Sequence, residues 1–204
     1  MTPVRLAVFA SGTGSNFRAI CESATRDELG GAQPVLLITN RTCPAQKIAA
    51  EYNVPAMVIA PGDFASATEW NDEILRQLRA HNIELIALAG YLRIVGRQIV
   101  DAYEGRILNV HPSVLPAYPG LNSIERVYAD AHSSSEKREQ GIAGAGVTVH
   151  VVDNGLDTGP AVIQRALDVL AYETLADYET AVHRVEHEIF PAAIAQLATT
   201  VVGK

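Results

Sequence analysis

The feature that most constrains the fold is the alternation of short apolar runs with segments whose apolar residues recur every three or four positions. The short runs have the length of strands, and the recurring segments have the period of amphipathic helices. This alternation is typical of a mostly parallel sheet with helices on both faces. The 204 residues suffice for one such domain with a substantial core and are too few for two comfortable ones. We therefore predict one α/β domain over residues 1–204, with about seven strands.

The elements follow from the same pattern. The predicted strands are Leu6 to Ala10, Val35 to Thr39, Ala56 to Ile59, Leu85 to Ala89, Arg106 to Val110, Val147 to Val152 and Ala161 to Leu167. The predicted helices are Ser15 to Ala24, Pro44 to Tyr52, Thr68 to Ala80, Ile124 to Ala131 and Leu175 to Leu197. The first four strands are nearly all apolar, which predicts burial on both faces. The polar segment from His132 to Gly141 is predicted to be an exposed loop.

Composition and charge exclude several classes of protein. The formal net charge is −7, whereas nonspecific nucleic-acid binding needs a basic face that displaces counterions. The chain has no apolar run of about 18 residues, as a membrane span requires, and its start lacks a secretory cleavage pattern. Cys21 and Cys43 lack CxxC spacing, which favours a reducing compartment. We expect a cytoplasmic protein with small-molecule partners, without nucleic acid or membrane; monomer and homodimer both stay open.

A glycine-containing turn, Ser11 to Asn16, follows the first strand and opens the first helix. Its glycines allow close approach of a ligand to the backbone, and the amides at the helix start favour an anion. A dinucleotide site is the weaker reading, because Phe17 replaces the third glycine and no acidic residue ends the second strand. A Walker-type loop is excluded because no Gly-Lys-Ser/Thr follows. The turn is predicted to bind a phosphate; the alternative is a structural turn with Ser15 as the N-cap.

Two further segments carry residues suited to acyl transfer. Asn109 and His111 lie one residue apart at a predicted strand end, so both could face the same way. Ligand sites in open α/β sheets lie beyond the carboxyl ends of strands. Asp157 follows in a turn-rich stretch, where an aspartate is often only a turn former and Asp153 competes for any role. An amide, an imidazole and a carboxylate together could polarise a carbonyl, hold an oxyanion and move a proton. The structural alternative is a capping asparagine and a packing histidine.

The last predicted helix contains an H-x-x-E-H pattern, His183 to His187. The seventeen residues after it offer no other distant ligand than Glu188, so a zinc site is rejected and no metal is expected. His183 and Glu186 lie one turn apart and could instead bind a polar ligand. His150, which alternates with apolar neighbours on a strand, is predicted to be structural.

These motifs resemble the glycinamide ribonucleotide formyltransferases, within the broader folate-dependent formyltransferase superfamily. The likeness covers nearly the whole chain. It is carried by SGTGSN at Ser11 to Asn16, LAGYLRI at Leu88 to Ile94, ILNVHPSVLPAYPG at Ile107 to Gly120, GVTVHVVDNGLDTGP at Gly146 to Pro160, and VEHEIFP at Val185 to Pro191. The resemblance implies a Rossmann-like formyltransferase fold and transfer of a formyl group from 10-formyltetrahydrofolate, a cosubstrate, without a tightly bound cofactor.

The resemblance also implies roles for individual residues. The catalytic set would be Asn109, His111 and Asp157. The ribonucleotide would be held by Gly14, Ser15, Asn16, His183 and Glu186. The folate pocket would be lined by Leu92, Arg93, Ile94 and Val95, by the loop from Asp153 to Asp157, and by Asn109. In the implied mechanism, Asn109 and a protonated His111 stabilise the tetrahedral oxyanion, while Asp157 keeps His111 charged and assists proton transfer.

The chain departs from the family pattern at three places. Ala67 stands near the position of a folate-contacting arginine, His183 stands where a lysine is common, and the segment from His132 to Ala145 is about ten residues longer. Three alternatives remain open: a formyltransferase acting on another amine such as an amino sugar nucleotide, a formyltetrahydrofolate hydrolase, and an inactive binding module of the same fold. The hydrolase is disfavoured because the first strand begins at about residue 4, which leaves no room for a preceding regulatory domain.

Overall fold

The computed structural model describes residues 2–202 and arranges its strands in one seven-stranded sheet of order β3-β2-β1-β4-β5-β6-β7. The strands are β1 (Val4–Ala10), β2 (Ala32–Thr39), β3 (Ala56–Val58), β4 (Leu85–Leu88), β5 (Ile107–His111), β6 (Gly146–Val151) and β7 (Ala161–Ala166). Neighbouring strands from β3 to β5 in the sheet order are parallel, whereas β6 pairs antiparallel with both β5 and β7. The predicted α/β class with a mostly parallel sheet of about seven strands is confirmed.

Seven helices are present among residues 2–202; six of them lie between strands, and the last follows β7. They are α1 (Ser15–Thr25), α2 (Ala45–Glu51), α3 (Ala67–Ala80), α4 (Arg97–Ala102), α5 (Ser123–Ala131), α6 (Arg138–Gly144) and α7 (Leu175–Val202), and 3₁₀ turns form at Pro61–Asp63 and Val169–Ala171. Helix α3 begins one residue before its predicted start, because the Ser66 hydroxyl caps it by accepting from the Glu69 amide at 3.1 Å. In the described part of the chain, no helix combines the length and the apolar character that crossing a membrane requires.

Two hydrophobic cores lie on opposite faces of the sheet, and β1 contributes to both. Alternate β1 residues point to opposite sides: Val8 belongs to the core formed with α1 and α7, and Phe9 to the core formed with α3 and α4. The predicted burial on both faces is correct for β1 and β4. It is wrong for β3, where Ala56 and Val58 are exposed. This strand lies at the edge of the sheet, where β2 is its one neighbour among the strands of residues 2–202.

Two helices were absent from the sequence-based prediction. Helix α4 follows β4, and α6 begins at Arg138, within the segment that was predicted to be an exposed loop, and ends at Gly144. Gly141 explains the second error, because glycine is a weak helix former. Here its missing side chain lets α6 pack on α5: a Cβ at Gly141 would lie 2.2 Å from the backbone nitrogen of Ala131. Helix formation at this segment therefore depends on packing rather than on local propensity.

Candidate active site

The candidate site begins at the carboxyl end of β5. Leu108 and Val110 belong to the core formed with α1 and α7, so the alternating residues Asn109 and His111 face the other side of the sheet. Asn109 pairs in register with Leu88 of β4 on one side and with His150 of β6 on the other. The strand pleat therefore presents both side chains to the same space, as the spacing in the sequence predicts.

The loop after β6 brings Asp157 to this pair. Its Oδ1 accepts from Asn109 Nδ2 at 3.4 Å, and its Oδ2 lies 3.5 Å from His111 Nδ1. Asp157 has a positive φ of 54°, and its Oδ2 also accepts from the backbone amide of Gly120 at 2.8 Å. The amide, the imidazole and the carboxylate that the sequence singled out thus meet within hydrogen-bonding range.

Asp157 is held in its ionised form. The His150 ring beside it and the Gly120 amide lower its pKa to about 2, although partial burial opposes them. The carboxylate is anchored further by the tight path of its loop, because a Cβ at Gly159 would lie 1.8 Å from the carbonyl oxygen of Val151. At neutral pH the site contains a fixed negative charge.

His111 is buried, with 4% of its surface exposed. Its Nε2 lies 2.8 Å from the carbonyl oxygen of Tyr118. Because a carbonyl only accepts, Nε2 carries the hydrogen of the neutral ring, and Nδ1 presents its lone pair toward Asp157. Burial lowers the pKa of His111 below its ordinary value, although Tyr118 and Asp157 oppose the shift. The neutral imidazole is therefore favoured, in contrast to the protonated His111 of the sequence-based hypothesis.

His150 also adjoins this site, whereas the sequence-based reading made it structural. It is 2% exposed, and its Nε2 lies 3.1 Å from Asn109 Nδ2 and 3.5 Å from Asp157 Oδ1. Its Nδ1 lies 3.0 Å from the carbonyl oxygen of Val151, which can only accept. In the neutral ring, Nε2 thus accepts from the Asn109 amide, whereas a ring with hydrogens on both nitrogens donates from Nε2 to Asp157 Oδ1. The sequence could have indicated this role of His150 only through its position opposite Asn109 on the neighbouring strand. That position depends on the antiparallel register of β5 and β6.

A second cluster joins the glycine turn to α7. Asn16 Nδ2 donates to Glu186 Oε2 at 2.8 Å, and His183 Nδ1 lies 2.9 Å from the same oxygen. Asn16 and Glu186 are both buried, although the two segments are 170 residues apart. Pairing with Glu186 raises the pKa of His183, so the ring keeps its positive charge to a higher pH than a free histidine does. The structure therefore brings together three of the residues expected to hold the ribonucleotide.

The glycine turn leaves the start of α1 open to a ligand. Gly14, not Ser15, is the N-cap: it has a φ of 80°, and no side chain caps the helix. A Cβ at Gly14 would lie 2.8 Å from Cα of Ala45, so close packing against α2 requires glycine here. Ser11, which the sequence analysis did not single out, ties the turn together: its hydroxyl donates to Asn40 Oδ1 at 2.6 Å and accepts from the Leu92 amide at 2.9 Å.

The residues expected to line a folate pocket follow β4 at the same edge of the sheet. Leu92, Arg93 and Ile94 are exposed, with Ile94 at 81%, and Val95 is half-buried against the core. Leu92 and Ile94 thus present two large apolar side chains to solvent, as an apolar ligand-binding surface would. Asp153 directs its carboxylate into its own loop, where Oδ1 accepts from Gly155 N and Thr158 Oγ1. Of the two competing aspartates, Asp157 alone contacts Asn109.

A cavity of about 610 Å³ lies between α1 and α2. Thr13 and Ser15 of the glycine turn line one part of it, together with charged residues of both helices. Its lining does not include Asn109, His111 or Asp157, so the cavity borders the turn rather than the acyl-transfer site. Within residues 2–202, no three acidic, histidine or cysteine side chains converge as metal ligands would.

Comparison with known proteins adds independent findings. A family model described as Formyl transferase matches residues 4–194. A phosphoribosylglycinamide formyltransferase of Bacillus subtilis is 38% identical over 196 residues, which make up 95% of this chain and 94% of that protein. A phosphoribosylglycinamide formyltransferase from Mycobacterium tuberculosis is 39% identical over 208 residues, which cover 99% of this chain and 90% of that protein. The crystal structure of glycinamide ribonucleotide transformylase 1 from Geobacillus kaustophilus aligns with a TM-score of 0.85 and 43% identity. The alignment covers 95% of this chain and 97% of that one. All the site residues described above lie within the matched range.

Proposed function

The chain belongs to the formyl transferase family, and on that premise we propose that it transfers the formyl group of 10-formyltetrahydrofolate to the amine of glycinamide ribonucleotide, a step of purine biosynthesis. The observation that carries the proposal is the convergence of Asn109, His111 and Asp157, in a chain whose glycine turn leaves the start of α1 uncapped. The relatives with the same proposed chemistry match this chain over nearly their full length.

The proposed reaction forms and breaks one carbon–nitrogen bond. The ribonucleotide amine attacks the formyl carbon, and the carbonyl electron pair moves to oxygen. Asn109 Nδ2 donates a hydrogen bond to this oxyanion, where charge develops. Collapse of the intermediate breaks the bond between the formyl carbon and N10 of the folate. By then the attacking nitrogen has lost one proton, and N10 has gained one. The products are the formylated amide and tetrahydrofolate.

His111 and Asp157 supply the proton transfer. Because the pKa of His111 is lowered, the ring enters the cycle neutral, with its Nδ1 lone pair available. It accepts the proton of the attacking amine, directly or through a water, and becomes an imidazolium. Asp157, which is ionised, stabilises that cation from 3.5 Å, and the imidazolium also favours the oxyanion. His111 then returns the proton toward N10. General acid–base catalysis of this kind contributes about 10²-fold to 10⁴-fold.

The two substrates are proposed to bind on opposite sides of this set. The amides of Ser15 and Asn16 at the start of α1 would bind the ribonucleotide phosphate, and His183 and Glu186 would hold its sugar portion. His183 takes the place of a common lysine, and its raised pKa lets it retain part of that positive charge. The folate ring would lie over residues 92–95 and 153–157.

One reconstitution experiment tests the proposal. Purified protein is mixed with 10-formyltetrahydrofolate and glycinamide ribonucleotide, and release of deformylated folate is followed. Turnover that depends on the ribonucleotide is expected. Equal turnover without the ribonucleotide would identify a hydrolase, and turnover only with an amino sugar nucleotide would identify a different transferase. Loss of activity in Asn109→Ala and His111→Ala, with unchanged thermal stability, places the reaction at this site. Turnover near the wild-type rate in both variants contradicts the mechanism.

A further inference from the structure

The loop of residues 112–121 contacts both members of the proton-transfer pair through its backbone. The Tyr118 carbonyl oxygen lies 2.8 Å from His111 Nε2, and the Gly120 amide donates to Asp157 Oδ2 at 2.8 Å. The first contact selects the tautomer of His111, and the second orients the carboxylate. The position of this loop therefore determines which nitrogen of His111 carries the hydrogen and how the Asp157 carboxylate is oriented.

Helix α5 holds that loop from its outer side. The Tyr118 hydroxyl donates to Asp130 Oδ2 at 2.8 Å. One turn earlier on the same helix face, Arg126 Nη1 donates to the Pro119 carbonyl at 2.8 Å, and the guanidinium lies 5.2 Å from the centre of the Tyr118 ring. Arg126 is exposed, so its contacts are weakened by solvent. The Tyr118 ring is 4% exposed, which makes its bond to Asp130 the stronger restraint.

Helix α6 closes the other side of the Tyr118 ring. A Cβ at Gly144 would lie 2.6 Å from ring carbons of Tyr118, so the glycine allows the helix to pack directly on the ring. Tyr118 itself has a positive φ of 54°, a conformation that a bulky residue adopts rarely and that the surroundings must maintain. The ring is thus fixed by a hydrogen bond on one side and by packing on the other.

We propose that Tyr118 and Asp130 are positioning residues for the transfer reaction, because their contact holds the loop that sets the tautomer of His111 and the orientation of Asp157. The expected effect on catalysis rests on the proposed function. The expected effect on the tautomer of His111 rests on geometry alone. It also assigns a role to α5 and α6: they support the site from a distance, without touching either substrate.

The test compares Tyr118→Phe and Asp130→Asn with Tyr128→Phe as a matched control. Tyr128 lies on the same helix α5, and its hydroxyl donates to the Glu173 carbonyl at 2.7 Å, away from the loop. The first readout needs no substrate: nitrogen chemical shifts of the imidazoles in ¹⁵N-labelled protein identify the tautomer of His111. Wild type and the control are expected to show the Nε2–H form. The two test variants should populate the Nδ1–H form, in which the ring donates to Asp157.

The second readout is steady-state kinetics. Both test variants should lose about 10-fold to 10²-fold in kcat, as misplacement of a catalytic group by about 1 Å does. KM for each substrate should change less than about threefold, because no substrate contact is removed. The double variant should lose no more than either single variant, since both changes break the same bond. Asp130→Asn keeps the packed tyrosine ring, so it tests the inference even if Tyr118→Phe folds poorly.

The outcomes separate the two proposals. An inactive wild type whose His111 tautomer changes in the test variants, but not in the control, would refute the proposed function and support the positioning role. An active wild type whose tautomer and kcat stay the same in both test variants would overturn the positioning role. The same conclusion would follow if Tyr128→Phe produced equal changes, because the effect would then come from general loosening of α5.

Discussion

Replacement of Asp157 by asparagine removes the negative charge of the site with almost no change of shape. The carboxylate accepts from the Gly120 amide and from Asn109 Nδ2 with its two different oxygens. An asparagine side chain has only one acceptor, so one of these donors must face an NH₂ group. Leaving such a partner unsatisfied costs about 1–3 kcal/mol. For a chain of this size, the loss lowers the melting temperature by about 2–4 °C per kcal/mol.

The same change should lower kcat by about 10²-fold to 10⁴-fold, because the imidazolium of His111 loses its counter-charge and proton transfer loses a partner. Asp168→Asn is the matched control, since this aspartate also accepts from a backbone amide, that of Leu170, and lies outside the proposed substrate sites. It should retain kcat within about threefold. Steady-state kinetics on the two folded variants measures both kcat values. A kcat for Asp157→Asn within threefold of wild type would refute the assigned role.

Acid titration checks the electrostatic part of this reasoning. The folded carboxyl of Asp157 has a pKa of about 2, and an unfolded aspartate has one near 3.9. Because the folded value is the lower one, the carboxylate stabilises the protein above about pH 4, and this contribution is lost as the pH falls toward 2. The difference in unfolding free energy between wild type and Asp157→Asn should therefore shrink between pH 6 and pH 3 in urea titrations. If that difference in unfolding free energy stayed constant with pH, the charge of Asp157 would contribute nothing to stability.

Three other predictions concern the surroundings of the site. His150→Leu removes a polar partner of the Asp157 carboxylate and should lower kcat by about 10-fold while raising the pKa of that carboxyl; steady-state kinetics measures the first effect, and an NMR titration of the carboxyl measures the second. Gly159→Ala would place a methyl group on the Val151 carbonyl and should destabilise the protein by about 3 kcal/mol in urea unfolding. In wild type, KM for the ribonucleotide should rise as pH increases through the raised pKa of His183, which is paired with Glu186; His183→Lys should abolish that rise between pH 6 and 9.

Local patterns sufficed for most elements of the fold. Of the elements that the structure describes, all seven strands and five of the seven helices were predicted, with ends that differ by a few residues. Their apolar periods and turn residues are properties of neighbouring positions. The prediction failed where distant packing decides the outcome. Helix α6 contains Gly141, which is unfavourable until α5 lies against it, and β3 is apolar but lies exposed at a sheet edge.

The sequence by itself indicated which side chains could do the proposed chemistry: the strand-end pair Asn109 and His111, an aspartate of the later loop, with Asp153 and Asp157 in competition, and the glycine turn. It could do so because their spacing and their turn residues are local signals. Only the tertiary structure decided how these groups are held. His150 enters through the antiparallel register of β5 and β6, and the partners of His111 and Asp157 include backbone groups at Tyr118 and Gly120. Backbone groups are the same in every residue, so their roles depend on where a folded loop places them.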